Sequence, residues 1–152
     1  MSDDVGHTAT VRISNRQDLP IDDPALTEVA QATLRGEQMD RVELSVSFVD
    51  EVEMADLHER FMGEPGPTDV LSFPLDEQDR DENGVRLLGD VVIAPAVAAR
   101  NQPTGSSADP AAEIRLLLVH GILHLLGYDH EDDVERAEMW AAQERYSGVK
   151  VP

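Results

Sequence analysis

The sequence predicts an α+β fold, with a small mixed β-sheet of about four strands, helices packed over it and a histidine-bearing helix at the centre. Three observations point there. Arg41 to Val49 places Val42, Leu44, Val46 and Phe48 on one face, the period-two pattern of a half-buried strand. Ile114 to Leu126 is a long apolar stretch interrupted by Arg115, His120 and His124, behind a cap-and-proline start at Asp109-Pro110. Gly63, Pro65, Gly66 and Pro67 break the chain between these segments. At 152 residues the chain is about the size of one ordinary domain, so 1–152 is read as a single domain with one core.

Each element has a local reason. Thr8 to Ser14 alternates around Val11 and Ile13 and suits a short strand, after which Asp22-Asp23-Pro24 starts a helix that runs to about Arg35. Asp50 is placed to cap a helix through Met54, Leu57 and Phe61. Val70 to Leu75 reads as a strand, and Asp76 to Arg86, acidic and without apolar period, as an exposed loop. Leu87 to Ala94 is strand-like, Pro95 to Arg100 starts a helix, and Gln102 to Ala108 is a polar connection. The apolar helix then continues to Leu126 and stops at Gly127, and a final helix spans about Val134 to Tyr146.

Composition narrows the chemistry. With no cysteine, disulfides and thiolate metal sites are excluded, so a transition metal must rest on His, Asp or Glu. The first ten residues lack a basic start followed by an apolar stretch, which argues against secretion and membrane insertion and for a cytoplasmic location. A formal charge of −19 repels nucleic acid at long range, so RNA binding would need a local basic patch, with Arg60, Arg100 and Arg115 as candidates, or a partner protein that brings the substrate.

His120 and His124 lie four apart, on one helix face, with Cβ atoms about 5–6 Å from each other. Gly127 suits a left-handed helix end, and the reversal there can deliver a third nitrogen from His130. The string H-x-x-x-H-x-x-G-x-x-H has the zinc-ligand spacing of the metzincin peptidases, which makes the histidine helix zincin-like. Those enzymes carry a glutamate base after the first histidine, where this chain has Gly121, so ordinary peptidase chemistry is disfavoured. Three neutral nitrogens around one Zn²⁺ per chain would leave a fourth position open for water or a substrate oxygen. Gly121 weakens a helix, and suggests that a packed neighbouring helix or substrate approaches the backbone there. Asp129 and Asp90 are candidates to receive the far N–H of a metal-bound histidine, and His7 and His58 read as surface residues.

The segment His120-Gly121-Ile122-Leu123-His124-Leu125-Leu126-Gly127-Tyr128-Asp129-His130 resembles the signature of the YbeY endoribonucleases, the rRNA maturation factors. Pro67-Thr68-Asp69-Val70-Leu71-Ser72-Phe73-Pro74 and Leu88-Gly89-Asp90 are similar to that family's other recurrent segments. The resemblance implies a metal-dependent, single-strand-specific endoribonuclease that matures the 3′ end of 16S rRNA, takes part in ribosome quality control and works with the small ribosomal subunit or its proteins. It also implies His120, His124 and His130 as zinc ligands. Many members have an arginine before the glycine that precedes the Pro-Thr block; here Met62 stands there, and Arg60 is the nearest basic residue and the candidate stabiliser of transition-state charge. For Thr68, Asp69, Ser72 and Phe73 the plain reading is a turn capping a strand whose phenylalanine joins the core. Two other functions share these residues: a zinc peptidase or amidase with its base supplied from elsewhere, and a ribosome-associated binding protein with a structural zinc.

Overall fold

A computed structural model describes residues 9–76, 80–100, 110–129 and 131–149. Four strands, β1 (Thr10–Asn15), β2 (Val42–Phe48), β3 (Val70–Pro74) and β4 (Arg86–Ile93), form one sheet in the order β1-β2-β4-β3. β1 and β4 flank β2 in parallel, whereas β3 pairs antiparallel with β4 and is an edge strand. Five helices complete the described chain: α1 (Asp23–Gly36), α2 (Glu51–Met62), α3 (Pro95–Arg100), α4 (Pro110–Leu125) and α5 (Asp133–Ser147). Element bounds follow the sequence pattern to within about two residues at ends that caps define. The Asp50 side chain accepts from Glu53 N–H to start α2, and Asp132 does the same with Glu135 N–H to start α5. The expected connection at 102–108, the helix start at Asp109 and the middle of the acidic loop lie outside the described residues.

One sheet face carries the main core. Val42, Leu44, Val46 and Phe48 alternate inward on β2 and meet Leu26, Ala30 and Leu34 of α1 and Ile114, Leu117, Leu118, Ile122 and Leu125 of α4. The opposite face is covered where Met54 and Leu57 of α2 pack on Leu71, Phe73 and Val92. Beyond α2 that face is polar, and Arg12 and Glu43 form an ion pair across β1 and β2 at 3.1 Å. Helix α5 packs on the outer side of α4 through Met139 and Ala142 against Val119 and Leu123.

A carboxylate ties three segments together. Glu37, just past α1, accepts hydrogen bonds from the hydroxyls of Tyr128, in the turn after α4, at 2.8 Å and Tyr146, on α5, at 2.6 Å. Burial, and next the hydrogen bond to Glu37, push the Tyr128 phenol up to about 12, and the same two causes raise that of Tyr146. A phenol raised in this way stabilises the fold fully below its unfolded value of about 10 and loses that contribution as pH rises through about 12. Replacing Glu37 with alanine is expected to cost about 2 kcal/mol at pH 7 and to flatten the loss of stability between about pH 10 and 12, as followed by urea melts across that range.

Candidate active site

Helix α4 is apolar because three of its sides are occupied. Ile114, Leu117, Leu118, Ile122 and Leu125 face the sheet and α1, and Val119 and Leu123 face α5. The remaining stripe carries His120 and His124 towards the edge strand. Their rings stand edge to face, with centroids 4.5 Å apart and planes at 76°. Between them and β3 lies a cavity of about 340 Å³ lined by Val70, Leu71, Ser72, Pro74, His120 and His124.

The helix reaches the sheet this closely because of Gly121. A Cβ there would lie 2.6 Å from Cγ1 and 3.1 Å from Cγ2 of Val91 on β4. The close approach expected from a helix or from substrate is therefore made by the sheet. Ser72 on β3 pins the contact by donating its hydroxyl to the Gly121 carbonyl at 3.1 Å. Ser72 thus does more than cap a strand, while Phe73 joins the smaller core as expected.

Gln143 holds His120 from behind. This α5 side chain is only 4% exposed, and its Oε1 accepts from His120 Nδ1 at 2.5 Å. With the amide oxygen turned to the ring, Nδ1 is the donor, and in the neutral imidazole this leaves the lone pair on Nε2. At His120 Nδ1 that place is taken by Gln143 and by neither aspartate candidate. Val91 points at α4, so Asp90, its neighbour in β4 and the partner of Phe73, belongs to the opposite sheet face, where burial raises its carboxyl pKa. Asp129 lies in the turn beyond α4, beside Glu135 and Glu138.

That turn reverses the chain. Gly127 takes φ 99°, and the Tyr128 N–H returns to the Leu123 carbonyl at 3.0 Å, the geometry expected for a left-handed helix end. His130 itself lies outside the described residues, as does His7. Among the described residues no group of three histidine or carboxylate side chains gathers to hold a metal. Two do meet, and a lone pair on His120 Nε2 beside the second imidazole fits the ligand chemistry of a transition metal.

The other sequence candidates sit elsewhere. Arg60 pairs with Asp56 at 2.8 Å, lies 6.0 Å from the Phe61 ring centroid and does not line the histidine cavity. Arg100 pairs with Glu51 at the start of α2, and Arg115 Nε donates to the Ser147 carbonyl at 3.3 Å. These three arginines do not make one basic patch, since Glu51 and Arg60 are nine residues, about 14 Å, apart along α2. His58 is not a surface residue: its side chain is 14% exposed and its Nδ1 donates to the Gly66 carbonyl at 2.8 Å, fastening the loop before β3.

Comparison with known proteins places these features. The family model for endoribonuclease YbeY matches residues 12–148, from β1 through α5. The chain belongs to the YbeY family. Relatives named endoribonuclease YbeY from Acidothermus cellulolyticus and Thermobifida fusca are 48% and 47% identical. Each alignment covers 88% of this chain and, respectively, 87% and 89% of the relative. The solution structure of TM1509 from Thermotoga maritima superposes with a TM-score of 0.60 at 30% identity, covering 91% of this chain and 87% of that one. The α+β reading therefore holds for this YbeY chain, with the strand order now added.

Gln143 was open to detection in the sequence, since Met139, Ala142 and Gln143 share one face of an otherwise charged helix. Changing it to leucine is expected to replace the single Nδ1-protonated form of His120 by a mixture of tautomers, seen in the ring ¹⁵N shifts of the metal-free protein. Gly121→Ala is expected to destabilise by about 1–3 kcal/mol despite alanine's better helix propensity, and Val91→Ala in the same chain to recover part of that loss in denaturant melts.

Proposed function

We propose that the chain is a single-strand-specific, zinc-dependent endoribonuclease that acts in 3′-end maturation of 16S rRNA and in ribosome quality control. Membership of the YbeY family and the name carried by its relatives support the endoribonuclease activity. The observation that carries the metal-dependent reading is the pair of imidazoles across a cavity from an edge strand, one of them oriented by a buried amide. His120, His124 and His130 would hold one Zn²⁺ per chain, which when bound supplies a Lewis acid for a phosphoryl oxygen and lowers the pKa of water.

The protein's own groups do the rest. Gln143 holds the His120 ring through Nδ1, and Ser72 ties β3 to α4 so that the cavity wall keeps its place. Arg60 is the proposed stabiliser of phosphate charge, a role that requires it to leave Asp56. A peptidase of the metzincin kind would place its base at position 121, where a side chain would collide with Val91. Docking on the small ribosomal subunit through its proteins, in the cytoplasm, supplies the positive charge that a −19 chain lacks. Among the described residues no helix is long and apolar enough to cross a membrane.

Metal analysis of the purified protein is expected to find about one zinc per chain, lost from the His120→Ala, His124→Ala, His130→Ala triple variant. The native protein is expected to cut single-stranded RNA while sparing the duplex and a denatured protein substrate. Stoichiometric zinc retained by the triple variant, or proteolysis without RNA cleavage, would overturn the assignment.

A further inference from the structure

An aromatic ring stands exposed across the edge strand β3 from the histidine cavity, and the core does not account for it. Phe61, at the last turn of α2, is 57% exposed although its ring meets Phe73 edge to face at 5.4 Å. Met62 and Leu75 are exposed next to these in the chain. Phe73 lies between Ser72 and Pro74, which line the cavity, and turns to the other sheet face. Because β3 is the edge strand, no further strand among the described residues lies beyond it, and β3 itself stands between the cavity and Phe61.

The geometry points to Phe61 as a stacking platform for a nucleobase of single-stranded RNA whose backbone enters the cavity over the open edge of β3. This rests on the ribonuclease reading above. Two observations favour a base over other occupants. The net charge is −19, and Arg100, Arg12 and Arg16 are held by Glu51, Glu43 and Glu53, so phosphate contacts are a poor source of affinity. Stacking needs no cationic surface, and the Arg60 guanidinium 6.0 Å from the ring centroid lies where it can flank a stacked base. A protein partner is the weaker fit, because Phe61, Met62 and Leu75 form a patch far smaller than the roughly 800 Å² per side of a standard interface. A platform that grips unpaired bases also gives the site its preference for single strands, since a duplex keeps its base faces covered.

The test is steady-state cleavage of a short single-stranded RNA by the zinc-loaded protein, with a copy carrying abasic residues beside the scissile bond. Phe61→Leu keeps an apolar contact for Phe73 and removes the ring, and is expected to raise KM about tenfold with kcat unchanged. Phe61→Tyr is expected to restore the native KM, and Val52→Ala, on the exposed side of the same helix, to leave it alone. The abasic copy is expected to bind native protein and Phe61→Leu equally weakly. If native protein cleaves RNA and Phe61→Leu does so with the native KM, the platform falls and the ribonuclease reading stands. If Phe61→Leu weakens binding to small ribosomal subunits but not to free RNA, the patch belongs to a protein partner and the proposal is wrong. A native protein that neither binds nor cuts RNA removes both readings.

Discussion

The contact between Gly121 and Val91 is the constraint on which the site depends. A helix can bring two imidazoles to the edge of a sheet only if its backbone sits close to that sheet, and here the missing Cβ sets the approach. The Ser72 hydroxyl then finds the Gly121 carbonyl, β3 is held against α4, and the cavity has two fixed walls. With Leu117, Leu118, Ile122 and Leu125 on one flank and Val119 and Leu123 on another, α4 has one stripe left for chemistry. The same glycine that removes the peptidase base is thus a packing residue, and the two facts have one cause.

Much of this was legible in the sequence because it was periodic. The alternation of Val42, Leu44, Val46 and Phe48 announces β2, the cap at Asp50 marks a helix start, and the spacing of His120 and His124 puts them on one face. Pairings between distant segments carried no such signal. Nothing local says that β4 inserts between β2 and β3, or that a glutamine 23 residues beyond His120 would hold its ring. Asp90 illustrates the difference: a carboxylate near the motif in sequence became a plausible partner, and only the face assignment of its strand separates it from the histidines.

Electrostatics makes an unusual setting for a protein of an RNA-cutting family. The arginines that could meet phosphate are engaged locally with acidic side chains or a carbonyl, on three different helices. What is exposed at the end of α2 and just past β3 is instead uncharged: an aromatic ring, a methionine and a leucine. Binding that relies on such groups depends little on salt, whereas binding through phosphate contacts falls steeply with it.

Helix α5 follows the histidine helix in the chain, yet it supplies both the amide behind His120 and one of the two phenols gathered on Glu37. The turn after α4 is tied to Glu37 by its own Tyr128, whereas the His120 ring is held only once α5 has packed. A chain that has made α4 but not yet α5 therefore lacks the amide that orients the His120 ring.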